Sequence, residues 1–382
     1  MVRILNIVAD EKFIDDVIEC HDIFSEKVIH DYVIVGEKQE SYKYIKKFPD
    51  RVKIVSSSSF LPYLKSNGFD AVFLHSFFVL DSNLIVEIPK QIKVFWFAWG
   101  YDIYSYIPDP FIKVDLYGVE TKRIKKMLEP NDFKSKLRSF LKTVFCYDQI
   151  KSHVYYKAIS RIDYFSGVLD FEYSLMENVR NFRAKKVTYT YNSISVMDSV
   201  NRECLCNGNN ILIGNSADDT NNHLDVLKYI KNIDLGNSLI YMPLSYAGEQ
   251  IYIDYVKNVY KSDFGDKFVP MDHFIPYQEY TQIMASCSVA IFAHERQQAI
   301  GNICAAFRKG CKVFLSETSN VYKYYKSLGM TVFSLQREFS SDALKTKLTD
   351  EQVIENIRIL DRRACRETYI KDMNHILECI KI

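Results

Sequence analysis

The residues best suited to chemistry are the run His294–Cys311, HERQQAIGNICAAFRKGC. An arginine, two glutamines and a glycine precede a stretch of small residues. The apolar run Val289–Ala293 leads in and Val313–Leu315 follows, so the pattern reads strand, polar loop, helix, strand. Gly301 would let the backbone approach a ligand closely. The amides around Asn302 would start a helix running to about Lys309, and Gly310 would end it. Unpaired amides at a helix start form a site for an anion such as a diphosphate. An ordinary connecting loop with a polar rim explains the same residues equally well.

A second polar loop follows the apolar run Ile211–Ile213 and reads Gly214-Asn215-Ser216-Ala217-Asp218-Asp219-Thr220-Asn221-Asn222-His223. Glycine, asparagine and serine donors there suit phosphate oxygens. The loop is neither a GxGxxG fingerprint nor a Walker loop with its lysine. Asp218 and Asp219 would repel a diphosphate, so they read as helix caps or as partners of a hydroxyl or amine. They are adjacent rather than spaced as a metal–diphosphate clamp. No metal ligand set is expected, and no cofactor. The nine cysteines are scattered in odd number, as reduced thiols in a cytoplasmic protein are, and Cys204-x-Cys206 lacks the second pair a zinc site needs.

In the first half, apolar runs end in polar residues: Arg3–Ala9 at Asp10–Glu11, Ala71–Leu74 at His75–Ser76, Val94–Ala98 at Trp99-Gly100-Tyr101-Asp102. A transfer that needs a general base would draw it from these. Asp102 is the first candidate, with His75 and Asp10 behind it. Each has a plain alternative, the aspartates as caps and the histidine as a satisfied core residue. Further along, Lys122 and Arg123 open a basic region spanning 121–147, in which Phe133, Leu137 and Phe140 share one face while Lys134, Arg138 and Lys142 flank it. Such a helix can lie among anionic lipid headgroups, or pack on a core with a solvated basic face.

Continuous apolar strands separated by helix-length segments predict parallel sheets covered on both faces. Tyr32–Val35, Val52–Val55 and Thr188–Tyr191 add strands to the first half; Ser238–Met242, Lys267–Pro270 and Thr331–Ser334 add them to the second. In such sheets ligands bind beyond the carboxyl ends of the strands. The expected division is a Rossmann-like domain over 1–191, a polar linker over 192–210, a second Rossmann-like domain over 211–349 and a helical tail over 350–382. With 49 basic and 48 acidic side chains among 382 residues, the charge balance points to no nucleic-acid partner. No run reaches membrane-span length, and the first residues do not read as a signal peptide.

Three blocks together resemble a known family: Phe97-Ala98-Trp99-Gly100-Tyr101-Asp102, Gly214-Asn215-Ser216 with Asn221-Asn222-His223, and Ile291 to Asn302 with Glu295, Arg296, Gln297 and Gln298 at its centre. The chain is similar to the bacterial transferases of glycosyltransferase family 56. These move 4-acetamido-4,6-dideoxygalactose (N-acetylfucosamine) from its dTDP form to a lipid-linked sugar in enterobacterial common antigen, O-antigen or capsule synthesis. The resemblance implies an α/β GT-B fold, two Rossmann-like domains facing across a cleft, with the acceptor on the first and the sugar nucleotide on the second. It implies Gly214, Asn215, Ser216, Asn222, Glu295, Arg296, Gln297, Gln298, Gly301 and Asn302 as donor ligands. His273 and Phe274 follow by fold analogy as the base-edge contacts. It implies metal-independent transfer to an undecaprenyl-diphosphate-linked acceptor at the cytoplasmic face of the inner membrane, where the protein would be peripheral and meet an anionic surface. A UDP-sugar transferase or epimerase of the same architecture, or a non-catalytic scaffold, are the other readings.

Overall fold

A computed structural model of the chain describes residues 1–37, 41–104, 115–128, 147–193, 197 and 206–381. The chain forms two compact units. Unit 1 comprises Met1–Lys113, Asp132–Ser199 and Arg363–Ile382; unit 2 comprises Val114–Asn131 and Val200–Arg362.

Unit 1 is built on a seven-stranded sheet in the order β3-β2-β1-β4-β5-β6-β7. Its strands are β1 Val2–Ile7, β2 Val28–Val35, β3 Val52–Val55, β4 Ala71–His75, β5 Lys93–Phe97, β6 Tyr164–Ser166 and β7 Lys185–Lys186. All pairs are parallel. The apolar runs form strands because both faces are covered: every residue of β4 is buried. One expected strand is displaced. Pairing at this edge is over Lys185–Lys186, not Thr188–Tyr191. Val187 N–H still reaches Phe165 O, but Tyr189 N–H donates instead to the Ser166 hydroxyl, 2.9 Å away, so the ladder ends there. Tyr189 then stacks on Phe97 at 4.2 Å and closes the sheet face.

Unit 2 carries a six-stranded sheet in the order β10-β9-β8-β11-β12-β13. Its strands are β8 Asn210–Ile213, β9 Ile240–Pro243, β10 Phe268–Met271, β11 Cys287–Phe292, β12 Lys312–Leu315 and β13 Phe333–Ser334. These are also parallel throughout. In each sheet the order of strands reverses once, between β1 and β4 in unit 1 and between β8 and β11 in unit 2. Two neighbouring loops leave such a point in opposite directions and open a crevice for a ligand.

Two segments lie in the other unit from the one their sequence position suggests. Val114–Asn131 belongs to unit 2, where Ile124 joins the core of Ile211, Ile213 and Val226. The tail breaks into two helices, Asp350–Ala364 and Arg366–Lys381. The second belongs to unit 1, with Tyr369, Met373 and Ile376 packed against Ile4, Phe73 and Phe95. Burial of an apolar face decides both placements, and neither face names its partner in the sequence.

Candidate functional site

The polar loops after β8 and β11 meet at the reversal point of unit 2. Gly214 takes the left-handed conformation (φ +70°) while its N–H reaches Ile291 O at 2.8 Å. A Cβ there would stand 3.1 Å from both Asn221 Oδ1 and His223 Nε2, so a glycine suits the turn. Thr220 donates its hydroxyl to Gln298 Oε1 at 2.7 Å, and Gln298 Nε2 donates to Asn215 Oδ1 at 3.2 Å. The Arg296 guanidinium lies 3.5 Å from both Thr220 Oγ1 and Gln297 O. Amide, hydroxyl and guanidinium from two loops thus form one connected set.

Behind them the helix Ile300–Arg308 begins. Ala299 is its left-handed N-cap (φ 59°) and makes no side-chain cap bond. The first-turn N–H groups therefore keep their donor capacity, at the positive end of the helix dipole. Two buried acceptors stand beside this start. Gln297 is 6 % exposed and its Oε1 has no hydrogen-bond partner among the described residues. His294 is fully buried; its Nδ1 pairs with Arg296 O at 3.0 Å, and its Nε2 has no partner among the described residues. Burial, helped by the Arg296 charge, pushes the His294 imidazole down to about 3, so it stays neutral. Buried acceptors of this kind are normally satisfied. A ligand hydroxyl or N–H would do that here.

The other expected donor residues divide by role. Ser216 and Asn222 are buried and already committed. Ser216 Oγ accepts from Asn221 Nδ2 at 3.1 Å. Asn222, left-handed at φ 54°, donates to Ala293 O and Leu116 O and accepts from Gly118 N–H, at 2.9, 3.1 and 2.9 Å. These two shape the loops rather than reach into solvent. Glu295 accepts from Ser316 and Thr318 at 2.5 and 2.7 Å and ties the loop to the end of β12. Gly301 differs from expectation. Its backbone is outside the left-handed region and a Cβ would meet open space, so the glycine is not sterically required in this structure. The helix starts at Ile300 instead of Asn302, and Asn302 Oδ1 accepts from the Tyr280 hydroxyl at 2.9 Å. His273 and Phe274 follow β10 at the sheet edge, and Phe274 is 85 % exposed. They stand two strands from β8, about 10 Å at the usual strand spacing.

In unit 1 the three expected bases are structural. Asp102 is fully buried; Oδ1 accepts from Trp99 N–H, and Oδ2 from Phe77 N–H and Trp96 Nε1, all at 2.8–2.9 Å. It organises the turns after β4 and β5. His75 is fully buried between Asn6 Oδ1 and the Tyr191 hydroxyl, at 3.2 and 2.8 Å, and burial holds it down to about 3. Asp10 accepts from Tyr44 and Ile45 N–H at 2.9 and 3.0 Å and from Lys43 N–H. It pins a loop. In all three the polar atoms are spent on the fold.

Sequence reading missed what the inserted segment does. Asp225, on the helix His223–Ile230, accepts from Glu120 N–H, Thr121 N–H and the Thr121 hydroxyl, at 3.0, 3.0 and 2.7 Å. It caps the helix Val119–Leu128 from outside. Lys125 of that helix pairs with Asp219 and stands 4.1 Å over the Tyr117 ring, which answers the charge of the loop's second aspartate. The partners are about a hundred residues apart in sequence, so no local pattern signals them. Of the expected membrane residues, Lys122 pairs with Asp115 and Arg123 with Glu120. Phe133, Lys134, Leu137, Arg138, Phe140 and Lys142 lie outside the described residues. Among the described residues no helix is long and apolar enough to cross a membrane, and no group of three or more His, Cys, Asp or Glu is placed to hold a metal.

Residues 146–377, more than half of the chain, match the family described as 4-alpha-L-fucosyltransferase, glycosyl transferase group 56. The chain belongs to glycosyltransferase group 56. Solved structures agree on its fold. HepE of Anabaena, in complex with UDP and glucose, superposes with a TM-score of 0.62 at 10 % identity, covering 100 % of both chains. Sucrose-phosphate synthase of Thermosynechococcus elongatus gives 0.62 at 9 % identity, covering 100 % of this chain and 99 % of that one. A trehalose-6-phosphate protein of E. coli, bound with UDP-2-fluoro glucose, gives 0.58 at 10 % identity with the same coverage. The enzyme is a glycosyltransferase with the GT-B fold.

Proposed function

We propose that this transferase takes a dideoxyamino sugar of the 4-acetamido-4,6-dideoxygalactose type from a dTDP-sugar. The acceptor is a lipid-diphosphate-linked oligosaccharide of bacterial surface polysaccharide. The observation that carries the donor reading is the connected set Asn215–Gln298–Thr220–Arg296 beside the uncapped helix start at Ile300. A leaving nucleoside diphosphate develops negative charge, and uncapped amides with a guanidinium supply the opposing field without a metal. The unpartnered acceptors of Gln297 and His294 suit sugar hydroxyls or an acetamido N–H. His273 and Phe274 take the base edge. HepE and the E. coli protein were solved with UDP compounds, which makes UDP the principal competing donor.

The amphipathic pattern over 121–147 supports peripheral association with an anionic membrane surface. A thermal-shift comparison of dTDP, UDP, GDP and CMP, with and without EDTA, tests the donor. Binding to the native state raises its melting temperature by mass action. The expected result is stabilisation by dTDP that survives EDTA and is lost in Gln298→Ala. Stabilisation by UDP alone overturns the donor assignment, and loss of the shift in EDTA overturns metal independence.

A further inference from the structure

In the sheet of unit 2 the end of β9 lies between the ends of β8 and β10. A nucleotide with its diphosphate at the polar loop after β8 and its base toward His273 and Phe274, after β10, therefore crosses the loop after β9. That loop stands about 5 Å from each neighbour at the usual strand spacing. It is anchored on both sides. Leu244 N–H reaches Met271 O at the end of β10, and Ala217 N–H of the polar loop reaches Tyr246 O, both at 2.8 Å. The backbone then turns through two left-handed residues, Ala247 (φ 59°) and Gly248 (φ 76°), the first at a cost for a residue with a Cβ. A Cβ on Gly248 would fall 2.3 Å from Ala217 O, so glycine is what lets the two loops lie this close. Residues 245–250 are all exposed. Tyr246 is the one aromatic side chain among them, and it is 46 % exposed.

We propose that Tyr246 is the surface on which the donor's nucleobase stacks. This rests on the nucleotide-sugar reading above, and every residue it uses belongs to unit 2. The ring takes one face of the base, while His273 and Phe274 stand at its edge. Every base has a π-face, so stacking fixes where the base lies without reading which base it is. Tyr246 thus holds dTDP and UDP alike, and the choice between them falls to contacts at the base edge. The anchored backbone serves this role. The bond between Ala217 and Tyr246 ties the position of the ring to that of the polar loop, so base and diphosphate are held in register. A tyrosine has few rotatable bonds, and little freedom is lost when a ligand settles on it. The hydroxyl is not needed for stacking, which separates this role from one in hydrogen bonding.

The test titrates dTDP and UDP calorimetrically into wild type, Tyr246→Ala and Tyr246→Phe of the full chain. The melting temperature of each unliganded protein is read alongside. Tyr246→Ala is expected to weaken whichever of the two nucleotides the wild type binds by about 5- to 150-fold, the worth of a base stacked on an aromatic ring, with its melting temperature unchanged. Where both bind, the two losses should be equal. Tyr246→Phe should bind as the wild type does. In NMR spectra of the bound nucleotide, the ring current of a stacked tyrosine should move the base-ring proton upfield in wild type and Tyr246→Phe, a signature that a merely structural residue would not give. Affinity of Tyr246→Ala within about twofold of wild type, an equal loss in Tyr246→Phe, or a base proton that does not move upfield in the wild type overturns the assignment. Wild type that binds neither nucleotide overturns the underlying donor reading instead, and the assignment with it.

Discussion

The contact between Gly118 and Asp225 gives a prediction whose size follows from geometry. A methyl group on Gly118 would fall 2.2, 2.3 and 2.4 Å from Cγ, Oδ1 and Oδ2 of Asp225. The glycine is outside the left-handed region, so alanine is opposed there by space alone. The carboxylate cannot give way cheaply. It is 7 % exposed and holds two backbone N–H groups and one hydroxyl. Asp225→Ala removes an N-terminal cap and leaves those donors unpaired, a loss of about 2–3 kcal/mol on the scale of hydrogen bonds to charged groups. Gly118→Ala expels the same carboxylate and should cost a similar amount, about 2–3 kcal/mol. In the double variant the new methyl enters space the carboxylate has vacated. Its cost should stay near that of either single change, a coupling of roughly 2 kcal/mol, within the range seen for residues in contact. Urea unfolding of the four proteins measures this directly. Because Asn222 joins Gly118 to Ala293, both single variants should also weaken nucleotide binding. Additivity within about 0.5 kcal/mol, the behaviour of independent sites, would refute the reasoning.

Two predictions concern pH. His30, His75 and His294 are held down to about 3 and His223 to about 4, while His21 is also well below its usual value, all chiefly by burial. The folded protein keeps them neutral whereas the unfolded chain protonates them near 6.5. Stability should therefore fall as pH drops from 6.5 toward 4, by roughly 1 kcal/mol per pH unit for each histidine. Urea midpoints that stay constant from pH 7 to 5 would contradict this. Glu172 behaves oppositely: burial, with the Asp102 carboxylate adding to it, raises it to about 8, so the fold keeps a proton that the unfolded chain has lost. Its contribution is lost as pH rises from 4.5 to 8. Glu172→Gln, which does not titrate, should gain stability over wild type as pH rises from 6 to 8.5. A constant difference across that range would count against the assignment.

The parallel sheets were legible because their strands are buried on both faces and appear as unbroken apolar runs; Ala71–His75 and Cys287–Phe292 are fully covered. The site loops were legible for a related reason. Polar residues follow the strand ends in Gly214–Asn222 and His294–Gln298, and ligands of a parallel sheet bind beyond those ends. Which of those residues are free to act was not legible. Asp10 and Glu11 are adjacent carboxylates in one loop, yet one is spent on three backbone N–H groups of the segment Lys43–Ile45 and the other is not.

The same limit explains Asp102. In sequence it stands at the end of a polar tetrad, where a base would be sought. In space it holds together the turns after two strands through Trp99, Phe77 and Trp96. A carboxylate that accepts from backbone amides carries the same letter whether it builds the site or works in it, because the amides it accepts from belong to every residue type. The discriminating quantity is the number of oxygen lone pairs left after the fold has taken its share. On that measure Asp10, His75 and Asp102 at the strand ends of unit 1 serve the fold. The same count in unit 2 separates Asn222, which is held by Leu116, Gly118 and Ala293, from Gln297, whose carbonyl oxygen still lacks a donor among the described residues. The sequence motif draws the boundary of each site, and hydrogen-bond saturation decides which members of the motif remain available for chemistry.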